Sequence, residues 1–424
     1  MLALPAKAER VRIVVGGANF RPYPIAVPDV VILSESSPSV RKAADELQKS
    51  LRYGAEFARS LELVPVKTYL SESRGNWANP VFANWANVGA SGLVRVGFEM
   101  RGENVKTTFR FFDVLAQREL LARTYNQKVT EIQTMAFTFL DELVEFLTGD
   151  RGVLNTRIAF VKRSNRGKAI FTSLVDGAFV IRVTDINVLS LLPNWDPTGR
   201  FILFTSYLQN NPDLYRVDLQ TNKIEGLSDR RGLNTGAVVS PDGKFIAFTL
   251  SIDGNTEIYT MNWRGEQLTR LTDSWGQDVS PSFSPDGKRI AFVSSRSGAP
   301  HIYIMNNDGS NVRRLTFKGN YNQEPNWSPR PDGQIAFTAR DERLKFDVFL
   351  VHPESGEITR LTQDDGHNES PSHSPDGHHV VFTTTRQGKL KHIYIMDVDG
   401  KHQKSMPLDA GDYESPKWGP RFTL

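Results

Sequence analysis

Ser39-Val-Arg-Lys42 matches the Ser-x-x-Lys pattern, in which a serine hydroxyl attacks an acyl carbon with a lysine close by. The partner motifs of that chemistry are missing. Ser39 also falls in the first turn of a helix, where serine is common, so a structural role is expected. No Gly-x-Ser-x-Gly elbow, Walker loop, Gly-x-Gly-x-x-Gly or His-Glu-x-x-His occurs. Cysteine is absent, which excludes disulfides, zinc knuckles and thiol nucleophiles. The chain has 8 histidines, six of them between His367 and His402. Zinc needs two or three converging ligands. His378 and His379 are strand neighbours and point to opposite faces, and His373 stands where sister segments carry Phe283 or Trp327, which marks a packed residue. No catalytic residue, metal site or cofactor is expected.

The elements that would position any site come from the whole chain. Its 424 residues suggest two to three domains. The 51 basic and 48 acidic side chains leave a formal charge of +3, so no large basic footprint points to nucleic acid or to a membrane surface. Mean hydropathy is −0.37 and no apolar run approaches ~18 residues, so no segment is expected to insert into a membrane. Apolar residues at 39%, with 25 Phe, are enough for a large core.

One phrase recurs: an apolar strand ending in Phe, at Phe160, Phe204, Phe248, Phe292, Phe337 and Phe382, with spacings of 44, 44, 44, 45 and 45. Before most copies lies a turn such as Ser240-Pro-Asp-Gly243 or Ser284-Pro-Asp-Gly287. After them come a second strand, as in Glu257–Met261 or His301–Met305, and a third, as in Leu268–Thr272. Counting the short strand before Pro-Asp-Gly, each unit has four strands in about 44 residues, which is one propeller blade. The copy at Arg157–Phe160 lacks its preceding half. Glu414-Ser-Pro-Lys-Trp-Gly-Pro420 is that half, so the C-terminus is expected to supply the inner strand of the first blade and close a six-bladed ring.

The first 152 residues are not repetitive. Ser37-Pro38 marks a helix start, Val40, Ala43, Leu47 and Leu51 follow at helical spacing, and Gly54 is expected to end the helix. Leu61–Val66, Leu93–Phe98, Val105–Phe112 and Arg118–Tyr125 read as strands. Thr130-x-x-Gln133 has the form of a capping box ahead of the stripe Ile132, Met135, Ala136, Phe139, Leu140, Leu143 and Leu147. The expected organisation is a terminal remnant over 1–8, a small α/β domain with a mixed sheet and two main helices over 9–152, and an all-β six-bladed propeller over 153–424. Ala6-Lys-Ala8 has the small-residue pattern of an export-signal cleavage site.

Two places could bind a partner. Asn234, Asp278, Glu324, Glu369 and Glu414 stand at the start of inner strands, which in a propeller open at one mouth of the channel. They form either a polar ring around a water-filled channel or a docking surface for a protein offering Lys or Arg. Glu9-Arg10-Val11-Arg12-Ile13-Val14-Val15 alternates with period two, the pattern of a strand at a chain end. It is either an ordinary first strand or one that exchanges to a partner by β-augmentation.

These residues make the chain resemble the TolB family, soluble periplasmic components of the Tol-Pal system of Gram-negative bacteria. The resemblance runs over residues 9–424. It rests on Glu9–Val15 after an Ala-x-Ala, Trp85-Ala-Asn-Val-Gly89, Leu147-Thr-Gly149 followed by Thr156-Arg-Ile-Ala-Phe160, the Pro-Asp-Gly repeats and the ending Pro416-Lys-Trp-Gly-Pro420. It implies binding and not catalysis: the propeller mouth would hold the peptidoglycan-associated lipoprotein Pal, and the N-terminal segment would engage TolA. It further implies a monomer in the periplasm that serves outer-membrane integrity, cell division and protein import. The chain departs from the family at Leu233 and Ser280, where the Pal surface carries His and Glu, and in the Trp- and Asn-rich loop after residue 70. Two other classes are a propeller holding a glycan or small ligand in its channel, and a peptidase of the prolyl-oligopeptidase type. The latter needs a hydrolase domain far larger than 152 residues and a serine elbow that is absent.

Overall fold

The computed structural model describes residues 21–69, 77–340, 342–363 and 365–421. The expected export-signal remnant, 1–8, and the strand expected over Glu9–Val15 lie outside the described residues. The chain divides into two compact units, Met1–Asn155 and Thr156–Leu424.

In the first unit β1 (Tyr23–Ala26), β2 (Val31–Ile32), β3 (Leu61–Leu63), β4 (Gly92–Arg101), β5 (Asn104–Asp113) and β6 (Arg118–Lys128) form one mixed sheet in the order β3-β1-β4-β5-β6, with β2 on β4. β1 is parallel to β3 and β4, and β4 to β6 form an antiparallel meander. Helix α1 (Pro38–Phe57) starts as expected: the Ser37 hydroxyl accepts the Val40 N–H at 3.3 Å, and proline takes the first turn. Gly54 does not end it. The helix runs three residues further, and Gly54 is an interior contact, because a Cβ there would lie 2.5 Å from Leu140 Cδ1 and 2.8 Å from Leu154 Cδ1. A short helix, α2 (Phe82–Ala86), buries Trp85 against Leu93 and Phe112. In α3 (Ile132–Thr148) every residue of the expected stripe is buried. The Thr130–Gln133 capping box is not made: a 3-10 turn over Val129–Glu131 leads in, and the residue at the cap is Glu131, whose side chain makes no capping bond. Gly149 ends the helix with φ +88°, a left-handed conformation glycine adopts without strain.

The second unit is the expected ring of six four-stranded antiparallel sheets. Blades 1 to 5 are contiguous, over residues 190–228, 234–270, 278–314, 322–360 and 368–405. Blade 6 joins the inner strand Asp412–Trp418 to Arg157–Ser164, Gly167–Leu174 and Ile181–Arg182, with Trp418 opposite Ile158. The C-terminal residues thus close the ring. In the contiguous blades a tight turn sets the pairing of the first two strands. In blade 2 the Ser240 hydroxyl reaches Asp242 and accepts the Phe245 N–H at 3.0 Å, while Gly243 takes φ +74°. The repeated Phe residues fill the packing between sheets; Phe160, Phe248, Phe292 and Phe382 have no exposed surface. Among the described residues no helix is long and apolar enough to cross a membrane.

Candidate functional site: the propeller channel and its entrance

The six inner strands share one irregularity. Each has a register shift near its start, and the residues there, Leu192, Gly236, Ser280, Glu324, Ser370 and Ser415, third in five strands and fourth in Asp412–Trp418, all take positive φ, between 49° and 64°. In five strands a proline follows, at 193, 281, 325, 371 and 416. Proline offers no N–H to a ladder, which suits it to a bulge. The bulge turns these residues into the channel, and the six with Lys417 line a cavity of about 70 Å³. That is room for a few water molecules and well short of the about 300–1,000 Å³ of ordinary ligand pockets. A glycan does not fit this cavity.

The bulge also separates the expected site residues. Asn234 and Asp278 are first residues of their strands and have no exposed surface, so they do not line the mouth. Asn234 accepts the Ser228 hydroxyl at 2.6 Å and donates to the Arg230 carbonyl. Asp278 is tied to Arg296 at 2.5 Å. Asn234 fastens the linker ahead of its blade, and Asp278 holds a loop of its own blade and accepts the Ser274 hydroxyl of the linker at 3.4 Å. Glu324 is a bulge residue in the channel, but its carboxylate is occupied: it accepts the Thr338 hydroxyl at 2.9 Å, the Ser370 N–H at 2.9 Å and the Ser370 hydroxyl at 3.0 Å, stitching blade 4 to blade 5. Glu369 and Glu414 each stand one residue before the bulge residue, partly exposed on the rim, and each has its own lysine, Lys391 and Lys168, both at 2.6 Å. Burial lowers the pKa of Lys391, but Glu369, with Glu414 and Glu324 behind it, raises it above its ordinary value overall. Asp278, Glu369 and Glu414 are thus each paired with a cation in place, and the acids do not form a uniform negative ring.

Two features of the site were not expected from sequence. Lys417 puts a cation in the channel wall, where burial holds it below the usual lysine range against the pull of Glu324. The other feature is apolar. Loops between second and third strands, and linkers between blades, all lie at the end of the ring where inner strands begin. This face exposes Tyr207, Leu208, Ile252, Trp275, Phe317, Leu344 and Leu390, with Trp275 and Phe317 at 77% and 71%. For Trp275 the signal in the sequence was an aromatic in a linker where sister repeats carry Arg231, Lys318, Asp365 and Ala410.

The remaining candidates carry no chemistry. Ser39 is exposed, and its hydroxyl meets that of Ser37 at 2.9 Å. His373 is buried, which lowers its pKa to about 4 and keeps it neutral. Among the described residues no three His, Asp or Glu side chains gather as metal ligands.

Fold and site define a six-bladed β-propeller protein with an α/β domain ahead of the ring and an apolar face around a narrow channel. The chain belongs to the TolB family: residues 11–120 match the TolB amino-terminal domain and residues 144–422 the TolB beta propeller domain. It is similar to the Tol-Pal system protein TolB of Desulfosudis oleivorans, 35% identical over 206 residues, covering 47% of this chain and 46% of that one. It is similar also to that of Desulfotalea psychrophila, 32% identical over 231 residues, covering 54% and 50%. The matched stretch thus spans about half the length of these curated relatives. The crystal structure of TolB from Acinetobacter baumannii superposes over 97% of this chain and 99% of that one, with TM-score 0.81 and 25% identity.

Proposed function

We propose that the chain is a non-catalytic periplasmic component of the Tol-Pal system whose propeller entrance face binds the lipoprotein Pal. One observation carries the reading: seven large apolar side chains stand exposed around the channel mouth, led by Trp275 and Phe317. Exposed apolar patches of this kind mark protein interfaces, and aromatic anchors dominate their energetics. The family membership and the names of the relatives point the same way. Glu369 and Glu414, each already paired with a lysine on the rim, contribute little to anchoring a partner. Asn234, Asp278 and Glu324 position the linkers and bulges beneath. In the same reading the segment Glu9–Val15 engages TolA by adding a strand to it.

Calorimetry with the delipidated Pal of the same organism tests the proposal. Trp275→Ala combined with Phe317→Ala should weaken binding at least about 30-fold, the scale of one good interface anchor. Glu369→Lys combined with Glu414→Lys should change it less than about tenfold, as expected for rim charges. Absence of Pal binding by the parent chain, or an aromatic double variant that binds as well as the parent, overturns the reading.

A further inference from the structure

His301 breaks the pattern of its repeat. Near the start of the third strand, blades 2 and 4 carry a buried acid, Glu257 and Asp347. Each acid accepts a threonine hydroxyl at 2.6 Å, from Thr272 and Thr362, and an arginine N–H, from Arg270 and Arg360. The same threonine oxygen in turn accepts the next backbone N–H of the third strand, at 2.9 Å from Ile258 and 3.0 Å from Val348. Blade 3 keeps the threonine, the arginine and this backbone bond, from Ile302 to Thr316 at 3.0 Å. In the acid's place it has His301, which is 3% exposed.

A carboxylate can accept several hydrogen bonds, whereas a neutral imidazole accepts one and an imidazolium none. Both ring nitrogens of His301 face donors. Arg314 Nη2 lies 2.8 Å from Nε2, and Asn322 Nδ2 lies 2.9 Å from Nδ1, with the Thr316 hydroxyl at 3.4 Å. The charge that faces the ring is the Arg314 guanidinium. Thr316 and Asn322 bring neutral groups; of the other cations nearby, Arg340 is bonded to Asn320 and stacked on Tyr321 in the linker, and Arg296 is stacked on Tyr303 and bound to Asp278. Burial, and then Arg314, lower the pKa of the imidazole below that of ordinary histidine. Protonation would place two cations 2.8 Å apart with no acid to share them.

This cluster holds the linker between blades 3 and 4. Arg314 Nε donates to the Thr316 carbonyl at 2.7 Å, its guanidinium stacks on Phe317 at 4.9 Å, and the Asn322 amide reaches the Lys318 carbonyl at 3.2 Å. We propose that His301 is a pH-sensitive latch: acidification releases the linker over residues 315–321, and with it Phe317, from blade 3. A weakening of Pal binding in acid follows as well, and that part rests on the function proposed above. The sign is set by linkage. A histidine whose folded pKa lies below its unfolded value of about 6.5 lowers stability as pH falls below about 6.5.

The test uses the full chain at pH 7.5 and 5.0, with blade 4, whose linker hangs on Asp347, as internal control. Hydrogen-exchange protection over residues 315–322 should fall at least tenfold more than over residues 361–368. His301→Asp, which restores the acid of the sister blades, should abolish the difference. Imidazole NMR should show His301 titrating below about 6.5. Equal loss in the two linkers, an unchanged loss in the His301→Asp variant, or a ring that titrates above that value overturns the latch. If the variant does not fold, the two linkers of the parent chain decide alone. Pal binding at pH 7.5 but weaker at 5.0 in the parent, and not in the variant, supports both proposals. Absence of Pal binding at either pH removes the proposed function and leaves the exchange result to judge the latch.

Discussion

Blade 6 and the five contiguous blades reach the same sheet by different means. In blades 1 to 5 a short turn joins the inner strand to its neighbour, so the turn itself dictates which residues pair. Blade 6 has no such turn: its inner strand and its second strand lie some 250 residues apart, and side chains must set the register. They do so at both ends of the pairing. Trp418 Nε1 donates to the Thr156 hydroxyl at 2.7 Å at one end. At the other, Lys162 pairs with Asp409 at 2.7 Å, Lys168 with Glu414 at 2.6 Å, and Arg163 lies 3.6 Å from both Asp412 and Glu414. Between them Phe160 meets Tyr413 edge-on, at 5.5 Å between centroids. Where covalent connection is missing, ionic and aromatic contacts fix the alignment, because a slip by one residue would turn every core side chain outward.

The largest test of this contrast is removal of the closing strand. A chain truncated after residue 410 exposes the inner edge of blade 6 and the faces of blades 5 and 1 packed on that strand, and should lose the cooperative unfolding transition of the propeller, read by urea denaturation; a midpoint close to that of the parent would show that closure matters little. Next come the core phenylalanines. Phe248→Ala in a contiguous blade and Phe160→Ala in the split one should each lower stability by about 3–5 kcal/mol, since both are fully buried. Phe160→Ala should also raise the unfolding rate more, because the Tyr413 ring then loses its partner in the strand that holds the ring shut. The smallest effect is ionic. A double-mutant cycle on Lys168 and Glu414, both about one-fifth exposed, should give a coupling of about 1 kcal/mol. The same cycle on the more exposed Lys106–Glu99 pair of the first unit should give about 0.3 kcal/mol. Equal couplings would mean that the seam pairs have no special role in register.

The ring, its closure and the two main helices were legible because repetition and helical spacing are properties of the chain itself. The periodic phenylalanines and the stray Ser-Pro-Lys-Trp needed no tertiary information. What was not legible depends on neighbours. Gly54 looks like a stop signal until Leu140 and Leu154 are seen against it. Thr130 and Gln133 have the spacing of a capping box, but the 3-10 turn ahead of α3 moves the cap to Glu131. The mouth residues were grouped by strand start, whereas the bulge decides which of them faces the channel. That is why Asn234 and Asp278 are buried, Glu324 reaches the channel, and Glu369 and Glu414 stand on the rim. The prolines at 193, 281, 325, 371 and 416 were the available sign of that bulge.

The split blade also has a consequence in time. During synthesis the strands over residues 157–182 are among the first of the propeller to be made, yet the strand that covers their inner edge, Asp412–Trp418, comes last. Every shorter length of nascent chain therefore carries an unpaired edge, a surface that invites pairing with another chain. The loop to be closed is long, but its entropic cost grows only with the logarithm of its length, so the delay comes from the order of manufacture more than from thermodynamics. A propeller built this way stays open until its final strand emerges, and a holding factor that binds extended β edges would have the whole of that interval in which to act.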